Sequence, residues 1–144
     1  MIKSVIIGVS GGRAHGLAEA YKHVKQGKLV AVSTRQQNNL DAFGDKFGVA
    51  ARYTDYQEML EKEQPDLIHL NTPPSVRLEI FEAAAQAGAS AVLVEKPLAL
   101  TVDDLQKVGA AIEKSNDIFM VGFNRRFAPL IDDLKQHFES ASTP

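Results

Sequence analysis

Residues 2–16 constrain the fold of this chain more than any other stretch. An apolar run at residues 5–7 ends at Gly8, and a helical pattern begins a few positions later, at Ala14. A nucleotide-phosphate site consists of these parts: a buried strand, a glycine-rich turn and the start of a helix. Glycines let the backbone approach a pyrophosphate, and the helix start offers free N–H groups. The stretch therefore predicts such a site, and we expect βα units on either side of this first strand.

The turn departs from the dinucleotide fingerprint G-x-G-x-x-G. Ser10 and Arg13 stand where the second and third glycines belong. A one-residue deletion in the turn restores part of the register, with Gly12 as the last glycine. The pattern alone is equally compatible with a plain βα turn. We interpret Gly8, Ser10, Gly11, Gly12 and Arg13 as the candidate phosphate-binding turn.

Strand-like and helix-like segments alternate along the rest of the chain, with short connections. This pattern predicts an α/β fold, a doubly wound parallel sheet with helices on both faces, in the strand order 3-2-1-4-5-6. Ligands of such sheets bind at the carboxyl ends of strands 1 and 4. The predicted strands are 5–7, 29–33, 50–53, 66–71, 91–94 and 118–122, and the predicted helices are 14–26, 38–47, 56–63, 76–87, 102–114 and 129–138.

The bulk composition excludes several classes of protein. The 144 residues suffice for one ordinary domain, and a net charge of -2 argues against electrostatic binding of nucleic acid or an anionic membrane. Cysteine is absent, so we expect no disulfide framework and no thiolate metal site. No apolar run approaches the roughly 18 residues of a membrane span, and the first residues do not resemble a signal peptide. We expect a cytoplasmic protein.

The end of the second predicted strand indicates which cofactor the site prefers. NAD sites usually carry Asp or Glu there, about 20 residues after the glycines. This chain has Ser33, Thr34 and Arg35 instead. Hydroxyls and a guanidinium would bind a 2′-phosphate that a carboxylate would repel. We therefore expect NADP in preference to NAD; the alternative is that Arg35 is a solvated loop residue and Thr34 caps a turn.

Glu95, Lys96 and Pro97 follow the fifth predicted strand, at the sheet edge where ligands bind. A lysine there can hold a substrate hydroxyl or the nicotinamide ribose, and can help to move a proton. Pro97 would fix the turn, with a cis peptide bond as one way of doing so. The competing interpretation is a surface ion pair between Glu95 and Lys96.

Four motifs together resemble the Gfo/Idh/MocA family, the glucose–fructose oxidoreductase and inositol dehydrogenase group. Glu95-Lys96-Pro97 follows a Val-Leu-Val strand as in that family, and residues 71–75, Asn-Thr-Pro-Pro-Ser, are similar to its Thr-Pro turn. Residues 122–127, Gly-Phe-Asn-Arg-Arg-Phe, are similar to its sixth-strand segment, and residues 13–15, Arg-Ala-His, follow the glycine turn. The resemblance extends from Ile2 to about Leu134.

The resemblance implies an N-terminal dinucleotide-binding domain. Such enzymes transfer a hydride between the nicotinamide and a hydroxyl or carbonyl carbon, usually of a sugar, polyol or cyclitol. Lys96 matches the family lysine that contacts substrate and cofactor, and is the candidate catalytic residue. With the residues taken from the glycine turn and the second strand, the candidate cofactor-binding residues are Gly8, Ser10, Gly11, Gly12, Arg13, His15, Ser33, Thr34, Arg35, Asn71, Thr72, Pro73, Glu95, Lys96, Asn124 and Arg125.

The chain departs from the family pattern in two further respects. Arg77 stands where many members have a histidine, and we expect it to lie at the surface. Members are also well over twice as long, with a second α/β domain whose Asp and His bind substrate and transfer a proton. We therefore expect residues 1–123 to form the dinucleotide-binding domain of a truncated chain, and residues 124–144 to begin the missing domain. Such a fragment should have little or no turnover alone.

The four histidines suggest no metal site. His69 lies in an apolar strand and is expected to be a satisfied core histidine. His15 is expected near the pyrophosphate, whereas His23 and His137 are expected on helix surfaces.

Two other functions or folds remain open. One is a non-catalytic dinucleotide-binding or sensor module. The missing second domain favours this interpretation, whereas Lys96 argues against it because a sensor has no need of a polar group facing the nicotinamide. The other is a flavodoxin-like or CoA-binding fold, which does not account for the Glu-Lys-Pro and Arg-Arg-Phe segments. Homo-oligomerisation also stays open. We expect Phe127, Leu130, Ile131 and Leu134 to be more exposed than their residue types suggest, and residues 139–144 to be a frayed polar tail.

Overall fold

The computed structural model describes residues 1–140, in which strands and helices alternate as expected. The strands are β1 (Ile2–Ile7), β2 (Gly27–Ser33), β3 (Ala51–Tyr53), β4 (Leu67–Leu70), β5 (Ala91–Val94) and β6 (Ile118–Val121). The α-helices are α1 (Gly12–Ala20), α2 (Gln37–Phe47), α3 (Tyr56–Glu63), α4 (Arg77–Gln86), α5 (Val102–Lys114) and α6 (Pro129–Ser140), with 3₁₀ turns at Pro74–Val76 and Asn124–Phe127.

All six strands are parallel and form one sheet in the order β3-β2-β1-β4-β5-β6. This confirms the predicted fold class and strand order. The register pairs Ile7 with Leu70, Leu70 with Val94, and Val94 with Val121. The carboxyl ends of β1, β4, β5 and β6 are therefore level, so the turns that follow them share one edge of the sheet.

Each face of the sheet carries its own apolar core. On one face, α1 and α2 bury a cluster that includes Ile6, Val32, Leu40 and Phe43. On the other, α3, α4 and α5 cover a larger cluster that contains Val5, Ile68, Val92, Ile80 and Phe81 among others. Neighbouring residues of β1 point to opposite faces because strand side chains alternate, and both faces are covered. This explains why residues 5–7 of the strand form an unbroken apolar run.

Several helix ends match local signals in the sequence. Asp55 caps α3 by accepting a hydrogen bond from the Gln57 N–H (2.9 Å), and Thr101 caps α5 by accepting one from the Asp104 N–H (3.1 Å). The Thr101 hydroxyl also donates to the Asp104 carboxylate (2.8 Å). Gly48 ends α2 in the left-handed conformation, with φ +68°. The residue types at these termini are those that favour helix ends, with a short polar side chain at the N-cap and glycine after the last turn.

The first helix is shorter than predicted. It ends at Ala20, and Gly27 begins β2 instead of closing a helix that reaches position 26. Sheet pairing is the reason, because Ile2 lies opposite Gly27 and the Ile2 N–H donates to the Gln26 carbonyl (2.8 Å). The chain must therefore leave the helix early enough to return to the sheet.

Smaller differences affect other boundaries. The helix predicted over 76–87 is a 3₁₀ turn followed by α4, and the strands predicted over 66–71 and 50–53 are each shorter. Of the predicted frayed tail, positions 139 and 140 belong to α6, and 141–144 lie outside the described residues. Residues 124–140 form a 3₁₀ turn and one helix, which leaves the predicted start of a second domain untested.

Candidate dinucleotide-binding site

A cavity of about 760 Å³ opens at the carboxyl edge of the sheet, where the turns after β1, β2, β4 and β5 meet. Most of the predicted cofactor residues line it: Gly8, Ser10, Gly11, Ser33, Thr34, Arg35, Asn71, Thr72, Pro73, Glu95 and Lys96. The sheet topology thus brings together residues that are far apart in the sequence, at the position predicted for a ligand of a doubly wound sheet.

Gly8 makes the close approach of the first turn possible. Its φ is +91°, and a Cβ there would lie 3.1 Å from the backbone carbon of Asn71 and from the backbone nitrogen of Thr72. Its N–H donates to the Ser33 carbonyl (2.8 Å), so the turns after β1, β2 and β4 are in contact. Only glycine combines that φ with that contact at low cost.

The start of α1 leaves its first N–H groups without a side-chain cap. Gly11 is the N-cap, with no side-chain hydrogen bond, and a Cβ on Gly11 or Gly12 would meet no atom within 4 Å. A helix start of this kind suits an anion, since the N–H groups and the helix dipole both favour negative charge. The altered fingerprint therefore still forms an open turn at a helix N-terminus.

Hydroxyl and amide groups converge beside the end of β2. The Ser10 and Thr34 hydroxyls are 3.3 Å apart, and the Asn39 side-chain amide donates to the Ser10 hydroxyl (3.1 Å). Arg35 lies exposed on the rim of the cavity. The three cavity-lining residues directly after β2 are Thr34, Arg35 and Gln36, which include no carboxylate and one charged group, the Arg35 guanidinium.

Tyr56 and Glu79 also line the cavity and were not identified from the sequence. The Tyr56 hydroxyl donates to the Glu79 carboxylate (2.7 Å), which links α3 to α4. Burial, with a further contribution from Glu79, raises the pKa of Tyr56 to about 12. The one available signal was position, since Tyr56 begins the helix that follows β3 and so lies at the same sheet edge.

Two buried polar atoms at this edge lack a protein partner. Within residues 1–140, the Asn71 side-chain nitrogen and the Thr72 hydroxyl form no hydrogen bond. Buried polar groups are normally satisfied, so an orphaned pair in residues that line a cavity suggests that a ligand completes them. Together with the close approach at Gly8, these atoms fit a bound dinucleotide.

Glu95 pairs with Arg13 rather than with Lys96. The Arg13 Nε and a Glu95 carboxylate oxygen are 2.6 Å apart, and Arg13 also donates to the Asn124 side-chain oxygen (3.4 Å). Lys96 is exposed and enters no salt bridge in the described part of the chain. The surface ion pair between Glu95 and Lys96 therefore does not form, and the Lys96–Pro97 peptide bond is cis, as one interpretation of the sequence had it.

Arg13 and Asn124, like Gly12 and Arg125, are not among the residues that line the cavity. Arg13 contacts the cavity-lining Glu95, and Asn124 contacts Arg13. Arg125 lies exposed in the second 3₁₀ turn. Whether these residues contact a cofactor stays a prediction.

His15 is not among the cavity-lining residues, although the sequence suggested a position near the pyrophosphate. Its ring stacks on Phe43, with centroids 5.3 Å apart, and lies 5.5 Å from the ring of Phe47. Ala14, one position earlier, is buried against the sheet. One helical step of about 100° therefore turns His15 towards α2.

Arg77 is buried, with only 2% of its surface exposed, which corrects the expectation of a surface residue. Its Nε and one Nη donate to the Thr72 carbonyl (3.0 and 2.7 Å), and the other Nη donates to the Pro97 carbonyl. Burial lowers the pKa of Arg77, an effect that Glu95 opposes. The early turn of α4 lies under the meeting turns, which is why position 77 faces inward.

Within residues 1–140, no group of histidine and carboxylate side chains could hold a metal ion, and no helix is long and apolar enough to cross a membrane.

The parallel sheet, the glycine turn and the cavity at the switch between β1 and β4 define a dinucleotide-binding α/β domain of the Rossmann type. The family described as "Oxidoreductase family, NAD-binding Rossmann fold" (Gfo/Idh/MocA) matches residues 2–123. The chain therefore belongs to this family, as the four sequence motifs suggested.

Two relatives and one solved structure show the extent of the similarity. D-apiose dehydrogenase of Paraburkholderia graminis is 34% identical over 78% of this chain and 30% of its own length. Myo-inositol 2-dehydrogenase of Thermotoga maritima is 31% identical over 94% of this chain and 41% of its own. One similar structure is an oxidoreductase of Agrobacterium radiobacter, solved in complex with NAD+, L-tartaric acid and magnesium. It is 27% identical to this chain with a TM-score of 0.89, and the match covers 96% of this chain and 40% of the oxidoreductase chain. The chain thus spans about 40% or less of these proteins.

Proposed function

We propose that this chain binds NADP, in preference to NAD, in the cavity at the carboxyl edge of the sheet. The observation that carries the proposal is the convergence of Gly8, the orphaned polar atoms of Asn71 and Thr72, and Lys96 on one cavity. The N-terminus of α1 would receive the pyrophosphate, and Arg35 with the Ser10 and Thr34 hydroxyls would receive the adenosine ribose and its 2′-phosphate.

The whole protein, on this proposal, is an oxidoreductase that acts on a hydroxyl or carbonyl carbon of a sugar, polyol or cyclitol. When bound, the dinucleotide supplies or accepts the hydride. Lys96 would hold the substrate oxygen and help to move its proton, because it is an exposed cationic side chain that lines the cavity directly after β5. Relatives named as dehydrogenases of apiose and myo-inositol support this substrate class.

The second half of such a protein would complete the substrate pocket, so we expect little or no turnover from residues 1–144 alone. Exposed apolar side chains of residues 118–138, including Phe123, Phe127 and Leu130, suit a segment that meets a further domain. The cytoplasmic location stays a prediction.

Replacement of Arg35 by alanine tests the cofactor preference. The unmodified chain is expected to bind NADPH more tightly than NADH in a fluorescence or calorimetric titration. Arg35→Ala should lower the NADPH affinity about tenfold or more and leave NADH nearly unchanged, since one charge-assisted contact to phosphate is lost. Lys28→Ala is the matched control, because it removes one positive charge from the opposite end of β2. An unchanged ratio of the two affinities in Arg35→Ala would refute the assignment.

Replacement of Lys96 by alanine in the whole protein tests the enzymatic role. We expect turnover to fall by about 10²-fold or more, the size of a general acid–base contribution, with cofactor binding retained. Normal kinetics in this variant would instead support a non-catalytic dinucleotide-binding module.

A further inference from the structure

Arg77 is the only buried residue with a permanent charge in the described part of the chain. A buried guanidinium is costly unless its donors are satisfied. None of its hydrogen bonds goes to a carboxylate. All three go to backbone carbonyls, two to Thr72 and one to Pro97. The Arg77 side chain therefore fixes backbone segments in position instead of pairing with another side chain.

The two carbonyls belong to different turns. Thr72 follows β4 and Pro97 follows β5, so one planar guanidinium joins the two turns. The ladder between these strands ends where the Glu95 N–H donates to the Leu70 carbonyl (2.9 Å). Among the described residues, the hydrogen bonds that link the two turns beyond that point are those of Arg77. Its fork geometry suits this task, because its donors diverge in one plane.

Lys96 lies between two anchored neighbours. Glu95 is held by the Leu70 carbonyl and by Arg13, at 2.9 and 2.6 Å. Pro97 is held by Arg77 through its carbonyl. The backbone of Lys96 is thus fixed on both sides while its side chain stays exposed at the cavity.

We propose that Arg77 is a positioning residue that sets where Lys96 and the Thr72 turn stand relative to the nicotinamide half of the cofactor. The inference rests on the proposed function, since it requires a nicotinamide cofactor in this cavity. Helix α4 packs on the sheet through Ile80, Phe81 and Ala84. Helix α4 therefore has contacts with the sheet apart from the Arg77 bonds, which link the two turns to this helix.

The test compares a whole cofactor with its adenosine fragment. The cofactor is the one that the unmodified chain binds more tightly, and the fragment is 2′,5′-ADP for NADPH or 5′-AMP for NADH. Arg77→Lys keeps the charge but replaces the planar fork by a single ammonium nitrogen, which we expect to hold one of the two carbonyls. We expect it to lower cofactor affinity about tenfold, equal to the loss of one charge-assisted hydrogen bond, and to change fragment affinity less than twofold.

Arg52→Lys is the matched control. Arg52 also donates to a backbone carbonyl, that of Val49 (2.8 Å), but it lies on β3 and is not among the cavity-lining residues. We expect it to leave both affinities unchanged. Equal weakening of cofactor and fragment by Arg77→Lys would overturn the proposal, because general damage to the fold affects both halves. Should that variant not fold, Arg77→His allows the same comparison.

Amide hydrogen exchange without cofactor provides an independent readout. Peptides covering 71–78 and 94–101 should both exchange faster in Arg77→Lys, while a peptide from β2 should not change. A change in one turn only, or in neither, overturns the bridging role. If the unmodified chain binds neither cofactor, the proposed function fails, and the exchange result alone decides whether Arg77 couples the turns.

Discussion

His69 shows how a single residue in a core strand can make stability depend on pH. Its ring is 5% exposed, its Nε2 lies 2.6 Å from the Tyr21 hydroxyl, and its Nδ1 is buried without a partner in residues 1–140. Burial lowers the pKa of His69 from 6.5 to about 4. The expected satisfied core histidine is thus satisfied at only one ring nitrogen.

We predict that the free energy of unfolding decreases as the pH falls from about 6.5 to 4. In that window the unfolded chain binds a proton at position 69 that the folded chain does not, so the loss reaches about 3 kcal/mol at the acid end. Urea unfolding at a series of pH values would measure it. His69→Gln, which cannot protonate, should flatten the profile, and His23→Gln, at an exposed position, should not. Parallel profiles for His69→Gln and the unmodified chain would contradict the prediction.

Arg77 and Lys96 show the limit of inference from single residues. Lys96 was identified because its motif and its position after a strand are both local in the sequence. Arg77 was expected at the surface, as a substitution for the histidine that many family members have at this position. Its burial depends on two carbonyls, at Thr72 and Pro97, that the chain brings together only when β4 and β5 pair.

The connection between β1 and α1 is the element on which the candidate site depends. Gly8 combines a positive φ with a position where an added Cβ would lie 3.1 Å from backbone atoms, whereas a Cβ on Gly12 would meet no atom within 4 Å. The same connection therefore contains one glycine that the fold requires and one that it does not. This distinction is not visible in the one-letter pattern.

We predict opposite effects for two alanine substitutions in this connection. Gly8→Ala should destabilise the chain by roughly 2 kcal/mol or more, because φ +91° is unfavourable for alanine and the Cβ crowds the Asn71–Thr72 backbone. Gly12→Ala, at the first position of α1, should be neutral or slightly stabilising, since alanine favours the helix. Thermal or urea unfolding would measure both. Equal destabilisation would show that the contact at Gly8 does not control the turn.

At the scale of the whole molecule, exposed apolar side chains are concentrated late in the described chain. Ile118, Met120, Phe123, Phe127 and Leu130 are each more than half exposed. The expected exposure of Phe127, Leu130 and Leu134 is confirmed, whereas Ile131 is half-buried. Helix α6 packs against the preceding 3₁₀ turn. An apolar surface of this kind suits association with another protein surface.

We predict that the isolated chain self-associates as its concentration rises. A Phe127→Ser, Leu130→Ser double variant should shift the association to at least about fivefold higher concentration, because two buried apolar side chains are lost from the contact. Sedimentation velocity over a concentration series measures the effect. A Val24→Ser, Leu100→Ser double variant removes two exposed apolar side chains elsewhere and is the control. The prediction fails if both double variants behave alike.

The sequence alone determined the fold class, the strand order and most of the cavity. Periodicity and turn residues are local signals, and parallel pairing then places every strand end at one edge, so Gly8, Arg35, Asn71 and Lys96 could be predicted to meet. Helix lengths were less predictable, since α1 ends where pairing of β2 with β1 requires it.

Only the tertiary structure decided how the residues at that edge are partnered. It turned His15 towards α2, paired Glu95 with Arg13, and buried Arg77 beneath two turns. Side-chain direction depends on helix phase and on which turns face each other, and both are set by packing between elements that are distant in the sequence. Residue types in the sequence therefore predicted which functional groups lie at this edge of the sheet. Which group each side chain contacts there depends on how the elements pack.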